Sequence, residues 1–249
     1  MSIFSKFRRK KETQREPADL SLVGVDMHSH LIPGIDDGAK TMEESLHLIQ
    51  ELSNFGFNKL ITTPHIMSDF YRNDRDTILR GRDEVRKSLA SCNMDVEFDA
   101  AAEYYLDEHF EELIEKKEIL TIGESYVLFE LSFMQEPNSM KRAIFNLQMA
   151  GYKPILAHPE RYLYFNANFE KYEELFERDV LLQLNINSLT GTYGDTVQRT
   201  AQKLIGKNMV AFLGTDTHHE GHLGLINSSL VRSGLHQLIR SGKLLNKEL

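Results

Sequence analysis

The sequence predicts an α/β fold in which parallel strands form a closed or nearly closed (β/α)7 barrel. Seven short, β-branched apolar runs alternate strictly with seven amphipathic helical stretches, the pattern of successive βα units and a parallel sheet. The strand runs are apolar along their length and flanked by helices, which implies burial on both faces. The length of 249 residues is that of one such barrel or of two small domains. A barrel explains the count of units better than an open sheet, although closure itself is not fixed by sequence.

The chain opens with a basic arm, residues 1–20, ending near Pro17 and read as a mobile extension. Ile3, Phe4 and Phe7 beside its basic cluster leave weak contact with an anionic membrane surface as the alternative role. Residues 21–249 are expected to form one domain. The strand runs are 22–27 (LVGVDM), 59–63 (KLITT), 96–101 (VEFDAA), 126–131 (YVLFEL), 153–157 (KPILA), 180–186 (VLLQLNI) and 210–214 (VAFLG). Helical patterns fall around 41–55, 75–91, 107–117, 139–150, 168–178, 194–206 and 224–240. In the first of them Leu46, Ile49, Leu52 and Phe55 repeat every third residue, the spacing of a buried helix face. There is no internal repeat and no low-complexity segment.

Composition narrows the class. Hydrophobic residues make up 41% and charged residues 27%, as in ordinary soluble globular proteins. The formal charge is −8. Residues 1–17 hold six basic and two acidic side chains, so the body carries −12 against +4 in the arm. An acidic body lacks the basic footprint that nucleic-acid binding requires. The single cysteine, Cys92, excludes an internal disulfide and a thiolate zinc site, and fits a reducing compartment. With no apolar run long enough to span a bilayer and no secretory h-region, a cytoplasmic location is expected, peripheral to the membrane if the arm touches it.

The chemistry is concentrated at strand ends. The first strand runs into His28-Ser29-His30, with Asp36 and Asp37 following; the second ends at Thr63-Pro64-His65 and the third at Glu103. Glu130 closes the fourth, His158-Pro159-Glu160-Arg161 the fifth, Asn185 and Asn187 the sixth, and Asp216-Thr217-His218-His219 the seventh. In a βα barrel these ends converge on one face. A single His-x-His or strand-end histidine has a plain hydrogen-bonding explanation. Five histidines and four carboxylates together do not. Glu130 follows Tyr126-Val127-Leu128-Phe129 with no lysine nearby, where an unpaired carboxylate costs several kcal/mol. His47, His109 and His236 fall in helical stretches and are read as structural or solvent-facing.

Imidazole and carboxylate donors without thiolate suit manganese, iron, zinc or magnesium, and the histidines argue against calcium or magnesium alone. Nine donors exceed the need of one ion and suit a centre of two or three. Such a centre acidifies a bound water and holds a substrate oxygen, which fits phosphate esters. Arg161, three residues beyond His158, could hold a phosphoryl group bidentately; its plain alternative is an ion pair with Glu160 or another acid. Rival phosphatase and nucleotide chemistries lack their motifs. Cys92 has no arginine at Cys-x5-Arg spacing, and neither G-x-S-x-G nor G-x-x-x-x-G-K-[ST] occurs.

The set His28-x-His30, Thr63-Pro64-His65, Glu103, His158-Pro159 and Asp216-x-His218 resembles the polymerase-and-histidinol-phosphatase (PHP) superfamily. The strings DMHSHLIPGIDDGAKTMEES, HPERY and LGTDTHH are similar to its bacterial capsular tyrosine-protein phosphatase branch, the CpsB/YwqE-like enzymes, over roughly residues 22–230. The resemblance implies a distorted (β/α)7 TIM-like barrel with a trinuclear, manganese-preferring centre. It implies hydrolysis of protein phosphotyrosine, with tyrosine-rich kinase tails that govern polysaccharide synthesis as substrates. The implied metal ligands are His28, His30, Asp37, His65, Glu103, Glu130, His158, Asp216 and His218, with Asp36 the alternative to Asp37. Arg161 would bind phosphate, and Asp37 and His65 would share in catalysis. Two departures stand out: His219 follows Asp216-Thr217-His218 where the family often has asparagine, and the basic residue expected beyond is replaced at best by His222.

The expected reaction is direct attack by a metal-bound hydroxide, indifferent to alkylation of Cys92. The alternatives are a PHP-type phosphatase of small monoesters such as histidinol phosphate, and a non-catalytic regulator that binds a kinase tail.

Overall fold

The computed structural model describes residues 16–249. Residues 1–15, which carry most of the basic arm, lie outside it. Of the rest of that arm, Ala18 and Leu20 are buried, and the Ala18 amide donates to Leu230 O.

Nine strands are present among the described residues: β1 (Val25–Asp26), β2 (Lys59–Thr62), β3 (His65–Ile66), β4 (Glu97–Ala100), β5 (Glu103–Tyr105), β6 (Tyr126–Glu130), β7 (Lys153–Ala157), β8 (Leu181–Asn185) and β9 (Val210–Gly214). All ladders between them are parallel, in the orders β1-β2-β4 and β3-β5-β6-β7-β8-β9. The two sheets are one wall with a kink. The second run, expected over 59–63, ends as β2 at Thr62 and the wall resumes after Thr63-Pro64 as β3; the third, expected over 96–101, ends as β4 at Ala100 and resumes after Ala101-Ala102 as β5. Pro64 has no N–H to give a ladder. The wall continues across the break, where Ala101 N donates to Thr62 O (2.9 Å) and Glu103 N to Pro64 O (3.1 Å).

β9 meets β1 at the seam of the ring. Ser29 and Thr217 form a parallel bridge, flanked by Asp216 N to His28 O (2.7 Å) and His30 N to Thr217 O (2.9 Å). Asp26 is fully buried and accepts from Thr215 N and Oγ1 at 2.9 and 2.8 Å. At the other end of the seam Asn246 takes the place of a ladder rung: its amide donates to Val25 O and Leu213 O and accepts from Leu213 N. The result is a distorted seven-walled α/β barrel.

The helices are α1 (Met42–Asn54), α2 (Arg75–Ser91), α3 (Glu108–Lys116), α4 (Met140–Met149), α5 (Leu163–Asn166), α6 (Glu170–Glu177), α7 (Asp195–Gly206), α8 (Glu220–Leu230) and α9 (Ser233–Arg240). Thr41, Asp74 and Asp107 cap α1, α2 and α3 by accepting from backbone amides of the first turn. On α1, Ile49 and Leu52 are buried as expected, with Leu48 completing the face; Leu46 and Phe55 pack at its margin.

Three expectations need correction. The run 22–27 yields only the strand Val25–Asp26, because Leu22 lies in a 3-10 turn and is exposed. The stretch 224–240 is two helices, since Arg232 leaves helical geometry at ψ 134°. The short α5 follows Tyr162, where sequence gave no helix.

Side chains inside the ring follow the two-residue period of a strand. On β6, Tyr126 and Leu128 join an apolar plug with Val25, Met27, Ile61, Ile155 and Phe212, and Glu130 stands one step further along the same face. The opposite face, Val127 and Phe129, packs under the helices.

Candidate metal centre

The fold brings all nine expected ligands together: His65 and Glu103 open β3 and β5 just beyond the breaks after β2 and β4, Asp37 lies in the loop after β1, and the other six stand at or just past the ends of β1, β6, β7 and β9. Four groups of donor atoms, each within 4.8 Å of one another, account for them: His30, Asp37, His65 and His218; His28, His30 and Asp216; His28, Glu103 and His158; His65, Glu103 and Glu130. Glu103, fully buried, is the hub. Its Oε2 lies 3.1 Å from His28 Nε2, 3.3 Å from His65 Nδ1 and 3.5 Å from His30 Nε2, and its Oε1 lies 3.0 Å from His158 Nε2. Asp216 Oδ1 stands 3.4 Å from His28 Nε2 and 3.5 Å from His30 Nε2. Glu130 Oε1 is 3.3 Å from His65 Nδ1. Asp37 Oδ1 closes the outer side, 3.6 Å from His65 Nε2 and 3.5 Å from His218 Nε2.

The 3.1 and 3.0 Å pairs of Glu103 with His28 and His158 are hydrogen bonds, and the remaining separations of 3.3–3.6 Å fit shared cations better than direct hydrogen bonds. Two donors about 2.1 Å from one ion, at roughly tetrahedral to right angles, lie about 3.0–3.4 Å apart. His30 Nε2 and His65 Nδ1 are buried, aimed into the cluster and without a hydrogen-bond partner, a costly arrangement unless something else satisfies them. Four carboxylates against one guanidinium leave the cluster short of fixed positive charge, which bound cations or protons on the rings must supply. The donor set therefore fits divalent metal.

The surrounding residues fix which nitrogen each ring presents. His28 Nδ1 donates to Gln183 Oε1 (2.9 Å), leaving Nε2 for the cluster. His30 Nδ1 donates to Asp36 Oδ2 (2.7 Å), and His218 Nδ1 to Asp216 O (2.9 Å). Such partners set tautomer and orientation in metal sites. The structure thus separates the two neighbouring acids. Asp37 faces the cluster, and Asp36 stands behind His30, also accepting from Gly38 N and His65 N. Gly38 is required by that packing, because a Cβ there would stand 2.2 Å from His30 O and 2.5 Å from His30 Cβ. Two of the expected ligands, His158 (φ 33°) and Asp216 (φ 51°), hold left-handed backbone conformations, strain typical of functional positions.

Electrostatics follow from the packing. Burial works against charge on His28, but Glu103 and Asp216 outweigh it and raise the imidazole to about 9. His30 and His65 are also raised against burial, chiefly by Asp36 and by Glu103 respectively. Burial opposes ionisation of Glu103 and Asp216, yet the imidazoles, His28 foremost, hold both well below the usual carboxylate range. Without metal, protons on the rings stand where cations would.

Arg161 borders the cluster. Its Nη1 donates to Asp216 Oδ2 (3.0 Å), which also accepts from Asn185 Nδ2 (2.8 Å). The guanidinium lies between the rings of Phe133 and Tyr193, 4.8 and 4.6 Å from their centroids. Its ion pair is with Asp216 rather than Glu160, which turns into the protein to accept from Ser188 Oγ and Asn185 N. His219 caps α8 through Gly221 N and is exposed. His222 does not replace the missing basic residue: burial pushes it down to about 4, so it is neutral, and its Nδ1 accepts from His218 N. Asn187 is buried just past β8, and its side-chain amide makes no hydrogen bond to a cluster donor.

Sequence reading missed Gln183, Phe133 and Tyr193. Only Gln183 carried a signal, an amide two residues before Asn185 on the same face of an otherwise apolar strand.

The chain is 29% identical over 195 residues to a putative tyrosine-protein phosphatase, CapC, of Staphylococcus aureus, covering 78% of this chain and 76% of that one. It is 26% identical over 196 residues to the tyrosine-protein phosphatase YwqE of Bacillus subtilis, covering 78% and 77%. Among solved structures it superposes with a TM-score of 0.78, at 23% identity and 90% coverage of both chains, on one from a study of YwqE of Bacillus subtilis and CpsB of Streptococcus pneumoniae, described as metal-dependent tyrosine phosphatases. The model of the capsular polysaccharide synthesis family CpsB/CapC matches residues 24–223, so this chain is a member of that family.

Proposed function

We propose that the protein is a metal-dependent protein-tyrosine phosphatase, with residues 21–249 as one domain carrying the whole site. The observation that carries this reading is the grouping of nine imidazole and carboxylate donors directly beside an arginine with uncommitted N–H groups. Phosphatase names among its relatives support it.

Two or three divalent cations, manganese foremost, would supply an acidified water and neutralise phosphoryl charge. The ligands are the nine residues named above. Arg161 keeps its place through Asp216 and offers its remaining donors to the phosphoryl oxygens, the role that charge-stabilising groups fill in phosphoryl transfer. Asp37, whose side chain is half exposed, and His65 form the solvent side of the cluster, where water enters. Glu103 and Asp216, both buried, stay ionised and keep the centre negative enough to retain cations.

The substrate in the cell is proposed to be the tyrosine-rich tail of a kinase controlling capsular or exopolysaccharide synthesis, in the cytoplasm. No helix among the described residues is long and apolar enough to cross a membrane. Co-sedimentation with anionic vesicles, with and without residues 1–15, tests contact through the basic arm.

The reading is tested by comparing kcat/KM for a phosphotyrosine peptide and for histidinol phosphate, with manganese present. A clear preference for the peptide is expected. Preference for histidinol phosphate would make the protein a small-monoester phosphatase instead.

A further inference from the structure

The mouth of the centre is apolar where a phosphate ester's organic part must lie. Phe133, three residues beyond Glu130, keeps 44% of its surface exposed, and the next residue, Met134, keeps 89%. The Phe133 ring stacks on the ligand His158 (centroids 5.7 Å, 27° between planes) and on the buried Tyr162 (5.5 Å, 29°). It is also one of the two rings that hold Arg161. One side chain therefore touches a metal ligand and the expected phosphate-binding group while presenting apolar surface to solvent. An exposed aromatic beside such a site costs solubility and gains nothing for a substrate with a small polar leaving group. A flat aryl leaving group would cover it.

We propose that Phe133, with Met134 at its edge, is the aryl-recognition wall of the site and selects phenolic over aliphatic phosphate esters. This rests on the phosphatase reading and adds to it the residue that distinguishes phosphotyrosine from phosphoserine. A phosphoryl group within reach of Arg161 places its ester oxygen one bond from the substituent, so a phenol ring lies within stacking distance of a neighbour that also contacts Arg161. Offset stacking of two rings is favourable beyond the area it buries. An alkyl chain obtains no such contact geometry. Tyr193 flanks the same guanidinium and is only partly exposed, so its role is to hold Arg161 in plane.

The test uses the manganese-loaded full chain and three forms: wild type, Phe133→Ala and Phe133→Tyr. kcat/KM is measured for phenyl phosphate and ethyl phosphate, and calorimetry gives affinities for phenylphosphonate and methylphosphonate, which report recognition without turnover. The expected result is a loss on the order of tenfold for phenyl phosphate in Phe133→Ala, carried by KM. Phenylphosphonate binding should fall in parallel, and ethyl phosphate, which loses only the support that Phe133 lends Arg161, should fall less, so that the phenyl-to-ethyl ratio drops. Phe133→Tyr, which keeps the ring, should restore the preference. An equal fall for phenyl and ethyl substrates would overturn the proposal, showing that Phe133 only supports Arg161. An unchanged phenyl-to-ethyl ratio would overturn it too. A wild type that binds phenylphosphonate through Phe133 but turns over neither ester would uphold the wall and defeat the phosphatase reading. Neither binding nor turnover would defeat both.

Discussion

The two ends of the barrel axis are built from the same strands and do opposite things. On β6 the inward face reads Tyr126, Leu128, Glu130, and on β8 Leu181, Gln183, Asn185. At the N-terminal end these positions join an apolar plug with Met27, Ile155 and Phe212, which buries surface and holds the ring shut. At the C-terminal end they become acids and amides that contact His65, His28 and Asp216. Two residues along one strand thus separate a side chain that stabilises from one that binds. The plug has no unpartnered polar side chain among the described residues, and the cluster above it has three, His30, His65 and His158. The stable end supports the cost of the strained one.

The sharpest way to break this contrast is Glu103→Gln. Glu103 meets four imidazoles, so the change should reduce phosphate release on the order of a thousandfold, with metal content by elemental analysis falling alongside. Retained metal and activity would show that the hub is not a ligand.

Gln183→Leu removes no donor from the cluster. It frees His28 Nδ1, whose partner sets the ring's orientation. Metal affinity should weaken by about 10- to 100-fold, measured by titration into the stripped protein, and excess manganese should restore turnover. Failure of restoration would place Gln183 in the chemistry itself.

At the opposite end Leu128→Ala should leave kcat/KM unchanged in the folded protein and cost about 2–5 kcal/mol of stability, read by denaturant unfolding. A loss of turnover without a loss of stability would abolish the distinction between the two ends.

The smallest effect is one of pH on the metal-stripped protein. His28 is raised to about 9, with His30 and His65 raised too. Their protonated forms therefore stabilise the folded state fully below the unfolded imidazole value of about 6.5. That contribution is lost as pH climbs through about 9. The melting temperature of stripped protein should fall across this window, and that of loaded protein, whose rings are held deprotonated by metal, should not. A rising melting temperature in the stripped form would contradict the assignment.

How much of this was legible in the sequence depends on how local each signal is. Strand runs and helix faces have short periods, so six of the seven strands and most helices can be read from the text. The ligands were legible for a topological reason: in a parallel barrel every strand end reaches the same face, so position along the chain is nearly enough to place His28, Glu103 and Asp216 in one pocket. The breaks after Thr62 and Ala100 were not legible, because the ladder continues across them in space. Nor was Asn246, which closes the seam from a position 221 residues after Val25. Phe133 and Tyr193 were missed because an aromatic in a loop reads the same whether it packs or flanks a guanidinium. His222 read as a possible cation, but burial makes it neutral.

The polar end of the barrel is proposed to be a metal centre that hydrolyses phosphotyrosine. Its most direct test is phosphate release from a phosphotyrosine peptide by purified protein, with added manganese and after exhaustive chelation. Release that chelation abolishes and manganese restores is the predicted result. Release that survives chelation, or none in either state, would contradict it.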